Sequence, residues 1–324
     1  MAAGATQTVA PAALRPTPNK GRPARMTRTS FDKQTQVMWV MVLPAIVYIT
    51  VFLVYPLGQL LVASFQEWSL VRGDRGRTFI GLENYYRLFS DGNLGSSIVK
   101  TIIFVIGVTA SQIIFGLGIA VLLNRGLKGE GTIRALALAP WFIPPVVVGF
   151  NWVFMFAPNF GILPYLLQLS GGGELARYPI LGNGVAAMAI VIFVHVWSGM
   201  PGIVLICTAG LKALPSDVYE AARVDGAGAL SQFVYITVPM LWPVIMVATF
   251  LTVSFAVRAF DIIQIMTGGG PGSATEVLGL YQHSVGVKSF DIGYGSTLAL
   301  VLILMALATS YFFLRGIVGR SHDR

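Results

Sequence analysis

The chain is 324 residues long, 55% hydrophobic and only 11% charged, with a net charge of +8 and a mean hydropathy of +0.73. Soluble domains carry roughly 25% charged residues, so this composition excludes a soluble globular protein and points to an integral membrane protein. The single cysteine, Cys207, lies in an apolar run, which excludes a disulfide framework or thiolate metal cluster and suits a residue packed between helices.

The first 36 residues are rich in Ala, Pro, Thr and Arg and lack the apolar run of a signal peptide. They read as a basic, disordered cytosolic tail that fixes topology and can approach anionic headgroups. No nucleic-acid-binding module accompanies the charge, so nucleic acid is not an expected partner. Six apolar runs follow, at 37–65, 101–123, 135–157, 185–208, 240–260 and 296–316, each able to supply the roughly 20 residues that cross a hydrocarbon core. No alternating pattern suggests a barrel, so all six are expected to be helices. Pro44, Pro56, Pro144, Pro145 and Pro201 fall inside them and should kink them.

Starting the chain in the cytosol places 14 Lys and Arg inside and seven outside, with Arg258 left within a span. Both termini are therefore expected inside, and the cluster Arg72, Arg75 and Arg77 is the main departure from the rule. Two outer segments have structured character. Residues 81–89 are amphipathic and aromatic, residues 160–167 are apolar and interrupted by turns, and both are expected along the outer interface.

A polar segment separates the fourth and fifth runs. Pro215 breaks the preceding helix, Ser216 or Asp217 can cap a short helix through Val218, Tyr219, Ala221, Ala222 and Val224, and Gly226 is placed to end it. Its small-residue face suits close insertion into a partner's groove, and Glu220 and Asp225 offer carboxylates to a partner's arginines. Pro239 and Pro243 start the next run.

Arg258 stands near the outer end of the fifth run, where it is expected to snorkel or to pair with Asp261 three residues on. The stretch Thr267-Gly268-Gly269-Gly270-Pro271 lacks the Gly-Lys-Ser/Thr ending of a phosphate loop and lies on the outer side, so it is not read as a nucleotide cradle. His195, His283 and His322 fall in a span, an outer loop and the C-terminal tail, too dispersed for one metal or acid–base site.

Glu220-Ala221-Ala222, then Asp225-Gly226, and after a spacer Ile236 and Pro239, resemble the cytosolic loop by which permeases of ATP-binding-cassette (ABC) importers dock on their ATPase. Val238 stands where that pattern has Leu. The stretches Phe260 to Pro271 and Gly81-Leu82-Glu83-Asn84-Tyr85 narrow the resemblance to permeases of carbohydrate-uptake importers, the group of maltose, multiple-sugar and glycerol-3-phosphate systems. Within that group the chain is similar to the F-type (A-type) subunit of the maltose importer rather than to the G-type.

The resemblance implies an all-α integral membrane protein of the bacterial cytoplasmic (inner) membrane, a type I ABC importer transmembrane domain with six transmembrane helices. The tail would be 1–36, the six-helix permease domain 37–318 with its family core at 97–316 and docking loop at 209–239, and the C-terminal tail 319–324. It also implies a non-catalytic subunit that binds no cofactor, ATP and Mg being used by a partner ATPase. The implied partners are a G-type permease in a heterodimer, two ATP-binding subunits, an extracytoplasmic solute-binding protein and the surrounding lipid.

In the maltose importer the F-type subunit holds sugar midway across the membrane on the two helices flanking the docking loop. Counted from Glu220, those positions are His195, Ser198, Gly199 and Gly202, then Thr252, Phe255, Ala256 and Ala259. His195, Ser198 and Thr252 can hydrogen-bond hydroxyls, and Phe255 or the neighbouring Trp197 can stack on a pyranose. Ala256 and Ala259 replace asparagines and Gly202 an aromatic ring, which implies a binding mode unlike that for maltose. With Arg258 paired to Asp261, a neutral saccharide is the expected substrate. The alternative class, a proton- or sodium-coupled carrier, would bury ionisable residues and show an internal repeat; only His195 and Arg258 fall in spans, and no repeat is evident.

Overall fold

The computed structural model describes residues 28–71, 77–125, 129–171 and 179–321; most of the expected tail, as well as Arg72, Arg75 and His322, lies outside them. The chain divides into two units, Met1–Pro56 and Leu57–Arg324. In the first, α1 (Arg28–Ile49) carries Pro44 and runs into a π-helical turn, Thr50–Val54. Residues 28–36, expected in the disordered tail, are thus helical. They contain neither Gly nor Pro, and a helix nucleated by an apolar run extends cheaply through residues of ordinary propensity.

Helix α2 (Tyr55–Ser64) leads into the second unit. There a small antiparallel hairpin, β1 (Gln66–Trp68) and β2 (Arg77–Phe79), precedes α3 (Glu83–Ser90). The hairpin adds strand to a fold expected to be purely helical, and it accounts for one arginine of the outer cluster: the Arg77 guanidinium lies 3.8 Å from the centre of the Trp68 ring. Gly81, at φ +62, makes the turn into α3. Buried Asn84 then donates to the carbonyls of Ser64 and Gln66 at 3.0 and 2.9 Å, tying α3 to the end of α2 and to β1.

Membrane-length apolar helices are Met38–Ser64, Gly92–Leu123 (α4), Gly184–Lys212 (α8), Ala229–Ala256 (α10) and the Ile292–Phe313 part of α13 (Ile292–Ser321). The remaining run is broken: α5 (Glu130–Leu138), continued by a 3-10 turn Ala139–Phe142, meets α6 (Pro145–Phe156) at a bend of 100°. A kinked single helix was expected at 135–157. Each residue before a proline avoids the helical region, so two successive prolines force Ile143 and Pro144 to ψ 123 and 140, and the helix stops. Pro145, at the first position of α6, restarts it. The shorter elements are α7 (Ile162–Leu169), α9 (Ser216–Val224), α11 (Asp261–Met266) and α12 (Leu278–His283).

The second unit is built around α4 and α8, its most extensive helix pair, with α10 packed on both. Small residues set the approach. A Cβ on Gly107 would lie 2.9 Å from Ile192, and one on Gly116 2.8 Å from Ile203, the close backbone packing favoured between helices in lipid. Buried Cys207 packs in the same seam, beside Leu117, Ala120 and Leu241. Gly116→Leu is expected to separate α4 from α8 at about 1–3 kcal/mol, whereas Gly118→Leu, with nothing within 4 Å of its Cβ position, is expected to be neutral. Survival of the purified complex on heating distinguishes the two; equal loss from both would remove the seam argument.

At one end of this unit, Asp91 caps α4 through the amides of Asn93 and Leu94. Its other carboxylate oxygen accepts from Tyr281 at 2.6 Å and Tyr294 at 2.5 Å. Arg87 pairs with Asp291 at 2.8 Å and lies 3.9 Å from the centre of the Tyr294 ring. The glycine-rich stretch is a structural turn here. Gly268 and Gly269 have φ +57 and +96, and Thr275 closes the turn by donating from Oγ1 to Gly270 O at 2.8 Å and from its amide to Gly269 O at 3.0 Å.

Candidate functional site

Helix α9 stands exposed between α8 and α10. It starts after Pro215 with no side-chain cap, and Ser216 Oγ is 3.2 Å from Asp217 Oδ1. The cap expected from Ser216 or Asp217 does not form; the N-cap position is Pro215, whose ring fixes φ, here −65, at the helix entry. Gly226 at φ +79 ends the helix; its amide donates to Arg223 O and that of Ala227 to Ala222 O, at 3.1 and 2.9 Å, the paired bonds of a Schellman turn.

Tyr219 faces inward, its hydroxyl 3.0 Å from Thr237 Oγ1, and Gln232 Nε2 donates to Ala227 O at 2.7 Å. Both bonds fasten the loop to the start of α10, where a π-helical turn, Phe233–Thr237, contains Ile236 and is followed by Pro239. Glu220 meets Arg223 only at 3.9 Å, with both side chains about two-thirds exposed. Such a contact contributes little and leaves the carboxylate available. Beside it and Asp225, the apolar side chains of Val224, Leu230 and Tyr235 are 87%, 76% and 77% exposed, a combination suited to a protein interface. A cleft of about 650 Å³ beneath the loop is lined by Asn124, Arg125 and Tyr219, so the loop after α4 and the α8–α10 loop share one end of this unit.

Two adjoining cavities lie between α8, α10 and the broken span. The larger, about 470 Å³, brings together His195, Ser198, Gly199, Gly202, Thr252 and Phe255, residues which the sequence places on two separate helices. The smaller, about 360 Å³, shares His195, Ser198 and Phe255 and extends past Arg258, Ala259 and Asp261. Gln112 supports the larger one: its Nε2 donates to His195 O at 3.1 Å and occupies the space a side chain at Gly199 would need. His195 stands edge-on to Phe104 with ring centres 5.2 Å apart. Its Nδ1, like Thr252 Oγ1, is buried without a hydrogen-bond partner among the described residues.

Comparison with known proteins decides the family. The family described as "Binding-protein-dependent transport system inner membrane component" matches residues 112–323. The chain belongs to this family. The permease is 32% identical over 289 residues to the trehalose/maltose transport system permease protein MalF of Thermococcus litoralis, covering 89% of this chain and 95% of that one. It is 33% identical to the sulfoquinovosyl glycerol transport system permease protein SmoG of Agrobacterium fabrum (84% and 87% covered) and 33% identical to the sn-glycerol-3-phosphate transport system permease protein UgpA of Brucella suis (86% and 94%). Its fold matches a chain of the bacterial alginate ABC transporter in complex with alginate pentasaccharide-bound periplasmic protein, at TM-score 0.75 and 21% identity over 88% of this chain and 95% of that one. The permease is thus a multi-pass inner-membrane protein with the six-span architecture of type I ABC importers, one span being the bent pair.

Two sequence expectations are corrected by the geometry of the permease. Trp197, expected in the path, packs edge-on against Trp152 with ring centres 5.5 Å apart and does not line the cavities. Arg258 and Asp261 form no ion pair: the helix ends at Ala256, so the three-residue spacing no longer places them on one face. Arg258 Nε instead donates to Ser254 O at 3.0 Å. Sequence reasoning also missed Gln112 and Trp141, which enter the larger cavity from α4 and from the 3-10 turn before the break. Gln112 carried a usable signal, a polar side chain deep in an apolar run. Trp141 is 56% exposed, and its indole passes 3.7 Å from the Cβ position of Gly202, so an aromatic surface reaches the cavity from a different helix.

Proposed function

We propose that the permease forms half of the translocation path of an ATP-driven importer for a sugar or sugar derivative. It would pair with a G-type permease and receive substrate from an extracytoplasmic solute-binding protein. Two ATP-binding subunits would drive it, using ATP and Mg that this chain does not itself bind. Glu220, Ala221, Ala222, Asp225 and Gly226 would seat α9 in an ATPase groove, with Ile236 and Pro239 setting the start of α10.

One observation carries this reading: α8 and α10 flank the exposed loop and also supply most of the lining of the larger cavity. A displacement of α9 by closing ATPases would therefore act directly on the two helices that wall the path, and ligand and nucleotide would bias its inward- and outward-open states. His195, Ser198 and Thr252 would meet hydroxyls, and Phe255 and Trp141 would offer aromatic faces to a sugar ring. Gly199 and Gly202 keep the space open for Gln112 and Trp141.

The test is accessibility. In the assembled transporter, Ser198→Cys and Phe255→Cys, each made in a Cys207→Ala background, are expected to react with a small uncharged hydrophilic thiol reagent. Substrate or trapped nucleotide should change the rate severalfold. Thr252→Cys, only 4% exposed here, should react slowly in one state and faster in the other. Cysteines at all three sites that stay unreactive in every state would place these residues outside the path.

A further inference from the structure

Arg258 borders the cavity that also holds His195, Ser198 and Phe255. A cation near the outer end of a span ordinarily reaches outward to water. This one turns the other way. Its Nε donates to Ser254 O, four residues earlier, at 3.0 Å, and its guanidinium lies 5.8 Å from the centre of the Phe255 ring. Both contacts draw the side chain back along α10 toward its N-terminus. Here that is toward the middle of the membrane.

The bond to Ser254 uses Nε alone. The terminal guanidinium nitrogens have no hydrogen-bond or ion-pair partner among the described residues, although Asp261 borders the same cavity. Asp261 sits in the first turn of α11, where the unpaired amides of the helix start favour a carboxylate without help from a cation. The arginine keeps its fork, the geometry that binds carboxylate, phosphate or sulfonate oxygens in pairs. A charge held near a span is costly and marks a functional site by default.

We propose that the substrate is an anionic glycoside, a sugar bearing one carboxylate, sulfonate or phosphate group, and that Arg258 recognises this group at the outer mouth of the cavity. This rests on the path reading above and replaces the neutral saccharide expected from an Arg258–Asp261 pair. His195 and Ser198 would then meet the hydroxyls of the same molecule while Phe255, beneath the guanidinium, meets its ring.

The experiment uses the assembled transporter with its binding protein and ATPases, carrying Ser198→Cys in the Cys207→Ala background. Modification by anionic sulfonatoethyl methanethiosulfonate is compared with that by its cationic trimethylammonioethyl analogue. With Arg258 present, the anionic-to-cationic rate ratio is expected to exceed that in Arg258→Gln by about tenfold, the effect of one nearby charge in a partly desolvated site; Arg258→Lys should keep most of it. Methyl glucuronide is expected to slow modification by an uncharged reagent severalfold where methyl glucoside does not, and Arg258→Gln should abolish that protection. A ratio unchanged by Arg258→Gln, or equal protection by both glycosides, overturns the anionic substrate and leaves the path intact. A cysteine at 198 that no reagent reaches in any state removes the path itself, and this proposal with it.

Discussion

Glu220→Lys is expected to reduce ATP-driven uptake to background while leaving the amount of permease in the membrane unchanged. Nothing among the described residues opposes the substitution: the Glu220 side chain is 66% exposed and its contact with Arg223 is long. A loss of transport must then arise in a partner, where reversing one member of a hydrogen-bonded charge pair costs about 2–5 kcal/mol. Gly226 separates shape from charge. No atom lies within 4 Å of its Cβ position, but its φ of +79 strains most side chains. Gly226→Asn, whose residue tolerates this conformation, should retain most activity, whereas Gly226→Trp should block insertion of α9. The measurements are uptake and co-purification of the ATPase. Normal transport in both Glu220→Lys and Gly226→Trp would remove the loop from the coupling interface.

The spans were legible because apolar length is a strong signal, and the turn at Gly226 because glycine is the residue that such a turn requires. Where the chain leaves regular helix, spacing misled. Arg258 and Asp261 were placed together by a helical count that holds only while the helix lasts, and nothing in the residues around Val257 announces its end. The bend at 143–144 was recoverable, since each proline restricts the residue before it and two in a row exceed a kink. The hairpin at 66–79 was too short to stand out beside long apolar runs. The cavity was half legible: a count along α8 and α10 reaches His195, Ser198, Thr252 and Phe255, but Gln112 and Trp141 arrive from other elements and could be placed only by tertiary packing. Trp197, next in sequence to Ser198, points about 100° away from it around α8 and packs on Trp152 instead.

Asp91→Ala is expected to destabilise the outer end of the second unit by about 3 kcal/mol. The carboxylate caps α4, a role that contributes about 1 kcal/mol. It also accepts from two tyrosine hydroxyls on α12 and α13, each bond to a charged acceptor being good for about 1.5–3 kcal/mol. Because the three share one side chain, the sum is an upper bound. Tyr281→Phe should cost less than Asp91→Ala, and the two together should cost less than their sum.

The pH dependence isolates the charge. Burial raises the Asp91 pKa, but the hydrogen bonds from Tyr281, Tyr294 and the amides of Asn93 and Leu94 outweigh it, so the carboxyl sits below its ordinary value of 3.8. A group whose pKa is depressed on folding contributes stability that is present above the unfolded-state pKa and lost as pH falls through the folded-state value. The gap in thermal stability between wild type and Asp91→Asn should accordingly hold steady from about pH 7 to 5 and narrow below about pH 4, as the wild-type carboxyl takes up a proton and loses its advantage over the amide. Thermal inactivation of the purified complex across this range measures it. A gap that stays constant down to pH 3 would mean that Asp91 acts through the shape of its contacts and not through its charge.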